Sequence, residues 1–274
     1  MISLKKSFNI ASKYSIKWDN YFEIYENLLV NFRNKKIVFV EVGIGNGGSL
    51  FMWRKYFGKK ARIIGIELNP EARILERDGF EIFIGDQSDP NFWNYFFKKV
   101  GKIDILIDDG GHTNIQQVTT LFETLKYIKN EGLIIIDDTH TSFMKNKGFK
   151  NPSKFSFINF TINLIEVIHR RNPMVLKDSN FFSKKIFSIE YFDSITVIKI
   201  GKKKLGNSKN LENNKKLRVL FDDFRYRRKI TDSNKDINEN FISFLFNKMV
   251  SKRSYLYRIY ENFLIRKYID KIKK

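Results

Sequence analysis

The sequence predicts a doubly wound α/β fold. Short apolar runs alternate with helical patterns at the spacing of βαβ units. A glycine-rich turn follows the first run. Acidic residues then close one run after another. Runs that are apolar on both sides suit parallel strands covered on both faces.

The runs are 37–42 (IVFVEV), 62–68 (RIIGIEL), 80–86 (FEIFIGD), 103–109 (IDILIDD) and 133–138 (LIIIDD). Helical stretches lie near 49–58, 70–77, 90–99 and 114–129, and a further helix is expected within 151–171. Residues 185–192 and 194–200 read as two more strands, too close in sequence for a crossover helix. They are expected to form an antiparallel pair at the sheet edge. Residues 1–35 form an N-terminal segment whose apolar spacing over 18–34 predicts an amphipathic helix. Residues 36–200 form the α/β domain. Residues 201–274 form a polar linker followed by helical patterns near 236–250 and 251–272.

Composition narrows the chemistry. With no cysteine, disulfides, thiolate zinc sites and cysteine nucleophiles are excluded. The N-terminus has no apolar core of signal-peptide length, and no uncharged run reaches the roughly 20 residues of a spanning helix. A cytoplasmic protein is expected. The net charge of +20 is uneven, with 21 Lys and Arg against 8 Asp and Glu after residue 200. The abundance of Lys, Ile, Asn and Phe also reflects composition bias, so a nucleic-acid partner is disfavoured. The tail has two readings. One is a helix at an anionic membrane surface, because aromatic and basic residues interleave there. The other is packing on the domain or on a second subunit, giving a homo-oligomer.

The turn EVGIGNGGS, residues 41–49, places Gly43, Gly45 and Gly48 at the spacing of nucleotide-binding loops. That spacing alone also fits an NAD enzyme. Glu41 distinguishes the two, because an acid two residues before the first glycine suits a ligand carrying an ammonium group and repels a pyrophosphate. S-adenosyl-L-methionine has such a group. Glu67 ends the second run, where a carboxylate meets ribose hydroxyls. Asp86 ends the third, where an acid can meet the adenine amino group, and Asp108 joins this cofactor set from the fourth.

DDGGH (108–112) and DDTHT (137–141) end the fourth and fifth runs. Adjacent strands lie about 4.8 Å apart, so Asp109, Asp137 and Asp138 should converge. Carboxylates that close repel one another unless a hard cation neutralises them. An all-oxygen set favours Mg²⁺, Ca²⁺ or Mn²⁺, with Mg²⁺ first. His112 is the expected general base and His140 a second catalytic candidate. His169, beside two arginines, reads as a surface residue. A sugar hydroxyl is a poor nucleophile, and a cation lowers its pKa enough for a histidine to take the proton.

Four segments, EVGIGNGGSLFMW, GDQSDPNFW, IDDGGHTNIQQ and FETLKYIKNEGLIIIDDTHTSF, resemble the metal-dependent sugar O-methyltransferases. This group includes the macrolide-sugar and rhamnosyl-antibiotic enzymes and relatives from polysaccharide gene clusters. The resemblance covers roughly residues 36–145. It implies a Rossmann-like methyltransferase sheet, a sugar or glycoside acceptor, Asp109, Asp137 and Asp138 as metal ligands, and His112 as base. This chain has Gly111 where the family often has Ser, and Asp137 where it often has Glu. Two other functions compete: an RNA methyltransferase using the basic tail, and a non-catalytic membrane-associated scaffold that keeps only the cofactor fold. The first would place stacking aromatics at the catalytic edge, and the second would lose the acids.

Overall fold

The computed structural model describes residues 2–144, 155–175, 178–209 and 211. The chain divides into two units, Met1–Asn210 and Leu211–Lys274. The two helical patterns expected after residue 235, and with them the membrane and packing readings of the tail, lie outside the described residues. Among the described residues no helix is long and apolar enough to cross a membrane.

The first unit holds a seven-stranded sheet of β1 (Val38–Val42), β2 (Arg62–Glu67), β3 (Glu81–Ile84), β4 (Ile103–Asp108), β5 (Ile128–Ile136), β6 (Ile186–Phe192) and β7 (Ile195–Ile200). The strand order is β3-β2-β1-β4-β5-β7-β6. β1 to β5 are parallel, and β7 runs antiparallel between β5 and β6. The expected edge pair is therefore present, with β7 inserted against β5. The order reverses between β1 and β4, and ligands bind outside the strand ends at such a point.

The helices are α1 (Leu4–Asn9), α2 (Tyr21–Leu29), α3 (Gly48–Phe57), α4 (Pro90–Val100), α5 (Asn114–Tyr127) and α6 (Phe157–His169). The pleat sends alternate side chains into two cores. Phe39, Ile105, Ile107 and Ile135 join Trp53, Tyr25 and Leu4 on one face. Val40, Leu106, Ile134 and Ile198 join Trp93, Phe96 and Leu121 on the other. Local signals set the helix ends. Asp89 accepts from the Asn91 amide ahead of Pro90, Gly101 ends α4, and Thr113 and Gln116 form a reciprocal cap on α5.

Three expected elements differ. The helix over 18–34 is shorter, with a 3₁₀ turn at Val30–Phe32, and the Asn20 amide bonds to Asp193 rather than capping α2. The stretch from Pro70 to Asp78 is 3₁₀, held between a leading proline and the left-handed Gly79. β5 begins at Ile128 rather than 133, because Ile128 already pairs with Ile103 before a register shift. α1 was not foreseen; its Leu4 is buried in the first core.

Candidate active site

The loop from β1 into α3 and the ends of β2, β3 and β4 enclose a crevice of about 380 Å³. Gly43, Gly45, Glu67, Asp86 and Asp109 line it together with Gln87. Glu67 caps the glycine turn. Its Oε2 accepts from the Ile44 and Gly45 amides at 3.2 and 3.1 Å, and its Oε1 from the Leu68 amide at 2.8 Å. Asp86 accepts from the Ser88 amide and hydroxyl, both at 2.7 Å.

Gly43 has φ +79, and a Cβ there would collide with the Asp109 carbonyl oxygen. The glycine lets the β1 loop cross the β4 loop. Gly43→Ala should therefore abolish cofactor binding and lower stability by about 1–3 kcal/mol for the backbone strain, measured by calorimetry and urea unfolding. Gly48 is needed for a different reason. A Cβ there would strike the Lys13 and Tyr14 carbonyl oxygens, so the glycine admits the N-terminal segment and does not reach the crevice.

Glu41 and Asp108 also stand away from the crevice wall. Glu41 is fully buried, accepting from Ser49 Oγ at 2.6 Å and Trp53 Nε1 at 3.1 Å. The ammonium it meets belongs to this chain, since Lys17 Nζ lies 3.4 Å from Glu41 Oε1. Burial pushes the Glu41 carboxyl up, and Lys17 opposes this. Asp108 is also fully buried. Its oxygens accept from Gln87 Nε2 at 2.9 and 3.0 Å, and Oδ1 also from the Gly110 amide at 3.1 Å. Gln87 Oε1 in turn accepts from the Gly111 amide at 3.0 Å. Gln87 and Asp108 thus brace the turn that carries Asp109 and His112.

Asp109, which lines the crevice, meets His112 and Asp138 beside it. One ligand atom from each lies within 4.8 Å of the others. His112 Nε2 is 3.3 Å from Asp138 Oδ2 and 3.9 Å from Asp109 Oδ1. His112 and Asp138 both have left-handed backbone, with φ 56 and 53. Such strain in residues with side chains persists only where the surroundings hold it, and it clusters at functional sites. His140 flanks the group, its Nδ1 3.9 Å from Asp138 Oδ1.

Asp137 is not in this cluster. It is fully buried and accepts from the Tyr25 hydroxyl, with Lys17 Nζ 3.7 Å from its Oδ2. Burial pushes its carboxyl well up, opposed by Lys17. Its Oδ1 has no hydrogen-bond partner among the described residues. Carboxylates and an imidazole within reach of one another suit a hard divalent cation.

Four N-terminal residues that the sequence did not single out complete the site. Lys17 has a side chain only 2% exposed and donates to Asp109 Oδ2 at 2.5 Å. Burial pulls its pKa down, but Asp109, Glu41 and Asp137 together hold it above the usual lysine value. Tyr21 donates to Asp138 Oδ1 at 2.5 Å, and Trp18 Nε1 donates to the same oxygen at 3.2 Å. Tyr25 holds Asp137. The Trp18 ring, 60% exposed overall, meets His140 edge-on at 6.4 Å.

No family model matches the chain. It is similar to an 8-demethyl-8-α-L-rhamnosyl tetracenomycin-C 2′-O-methyltransferase of Streptomyces olivaceus, at 29% identity over 165 residues, 57% of this chain and 43% of that protein. It is also similar to a mycinamicin VI 2″-O-methyltransferase of Micromonospora griseorubida, at 25% identity over 190 residues, 65% of this chain and 47% of that protein. The chain thus spans less than half the length of these relatives. Among solved structures, the MycE methyltransferase in complex with Mg, SAH and mycinamycin VI superposes with a TM-score of 0.64 at 20% identity, covering 83% of this chain and 58% of that one. The chain therefore has the Rossmann-like methyltransferase fold, and its sequence resembles the sugar O-methyltransferases.

Proposed function

We propose that this chain is an S-adenosylmethionine-dependent O-methyltransferase that acts on a sugar hydroxyl with help from a divalent cation, Mg²⁺ first. The observation that carries this reading is the meeting of His112 and Asp138 with Asp109, which lines one crevice together with Glu67 and Asp86. Curated relatives that modify rhamnosyl and macrolide sugars support the choice of acceptor.

S-adenosylmethionine supplies an electrophilic methyl group, and the cation lowers the pKa of an acceptor hydroxyl held against it. The chain does the rest. Glu67 receives the ribose hydroxyls and Asp86 the adenine amino group. Asp109 and Asp138 would hold a divalent cation there. His112 Nε2 takes the hydroxyl proton, held in place by Asp138. The open side toward His140 and Trp18 admits the acceptor, and the exposed indole gives a sugar ring an apolar face to rest on. Most of the remaining effect is positioning.

Cofactor turnover against glycosides, nucleotide sugars and RNA, with and without EDTA, tests the proposal. Chelation is expected to abolish methyl transfer while S-adenosylhomocysteine still binds. Full activity in EDTA after verified metal removal would exclude the cation. Turnover on RNA alone would exclude the sugar. Glu67→Ala should weaken cofactor binding by about 1.5–3 kcal/mol for each charged hydrogen bond lost, read by calorimetry.

A further inference from the structure

A second cavity, of about 540 Å³, opens at the opposite end of the sheet. Asn130 near the start of β5, Lys184 and Lys185 before β6, and Lys203 and Lys204 after β7 line it with Asn180 and Phe181. Asp137 and Asp138 lie beyond the other end of β5. The two ends of β5 stand opposite Ile103 and Asp108 of β4, roughly 17 Å apart at strand spacing. The cavity is therefore separate from the crevice.

Its charge is unbalanced. Among the described residues, none of the four cavity lysines stands against a carboxylate. Lys185 lies over the Phe181 ring at 5.3 Å. Burial and the nearby Lys102 ammonium pull its pKa down to about 8. Like charges gathered in a recess cost free energy, and a perturbed group in a cavity is a sign of a binding site.

The remaining lining also favours an acceptor-only ligand. Asn180 Oδ1 is occupied by the Ser183 amide at 3.0 Å, which leaves its N–H groups to donate. The walls are tied together. The Gly201 amide donates to the Lys185 carbonyl at 3.0 Å and the Leu205 amide to the Lys184 carbonyl at 2.7 Å. The lysines before β6 and after β7 are thus held in one recess.

We propose that this cavity binds the phosphate of a phosphorylated ligand, either a soluble diphosphate or the headgroup of an anionic lipid. Several lysines and amide donors around one recess match a compact, multiply charged acceptor better than a single carboxylate. The Phe181 face leaves room for an apolar or ring group next to the phosphate. A nucleic-acid polymer calls for an open basic face with several stacking aromatics, and this recess offers one.

The test uses the full chain. Pyrophosphate is titrated by calorimetry at fixed ionic strength, with sodium sulfate as the non-specific control. Sedimentation with phosphatidylglycerol and phosphatidylcholine vesicles forms the second arm. The double variant Lys184→Gln, Lys185→Gln is compared in both, and S-adenosylhomocysteine binding verifies its fold. The expected result is saturable pyrophosphate binding, weakened about tenfold or more in the double variant. Vesicle binding that pyrophosphate competes away, and that the double variant loses, assigns the lipid headgroup. Pyrophosphate binding without vesicle binding assigns the soluble ligand. Pyrophosphate binding no stronger than sulfate, or unchanged in the double variant, overturns the proposal. An RNA oligomer that binds in its place, with pyrophosphate unable to compete, does so too.

Discussion

Replacing Lys17 with methionine is expected to destabilise the protein by about 3–5 kcal/mol, the cost of leaving buried charge without its partner. Glu41 and Asp137 are both fully buried, and Asp109 lies beside them. Lys17 is the cation that all three share. Methionine keeps most of the stem's volume, so the loss reports charge rather than a cavity. Urea unfolding at neutral pH gives the magnitude. A second substitution, Asp137→Asn, removes one of the stranded acids and should recover part of the loss. The coupling energy from that cycle isolates the pair. A loss for Lys17→Met below about 1 kcal/mol, the scale of an exposed pair, would show that the acids are already protonated in the folded chain.

The sequence brings Asp109, Asp138 and Glu67 to one edge of the sheet, as the structure does, because strand ends are easy to read. Each closes an apolar run, and neighbouring strand ends lie within a few ångströms of one another. Glu41 also closes a run, yet the pleat turns it the other way. Phe39 enters the core under α2 and α3, Val40 and Val42 enter the opposite one, and Glu41 follows Phe39 toward Ser49 and Trp53. Counting residues to the strand end does not say which face the last side chain takes. The adjacent acids Asp137 and Asp138 separate for a similar reason. The left-handed backbone of Asp138 turns it toward His112, while Asp137 stays with Tyr25.

Lys17 was hidden differently. It stands 92 residues from Asp109, in a stretch with no helical period, in a chain with 50 lysines and arginines. The apolar–polar alternation of residues 14–18 points the wrong way, because in the structure Tyr14, Ile16 and Trp18 are the exposed side whereas Ser15 and Lys17 are turned in. This is the alternation of an extended segment lying on a surface with one side turned in. Tyr21 and Tyr25, one helical turn apart, continue that inward side onto α2 and carry their hydroxyls to Asp138 and Asp137. Read together, these residues make residues 10–25 a wall of the site rather than a lead into the domain.

Replacing His112 with alanine is expected to lower the methyl-transfer rate by about 10²–10⁴-fold, the range for loss of a general base. Cofactor affinity should change little, because Gln87 and Asp108 brace the turn from the side away from the acceptor. The same imidazole lies within ligand distance of Asp109 and Asp138, so a rate loss alone does not separate a base from a metal ligand. Metal binding does. Mg²⁺ titrated into the apo variant should bind nearly as tightly as in the parent if His112 is the base, and weakened Mg²⁺ binding would make it a ligand. His140 would then be the candidate base, because it faces the same opening beside Trp18. His140→Ala should in that case carry the larger rate loss, and otherwise the smaller.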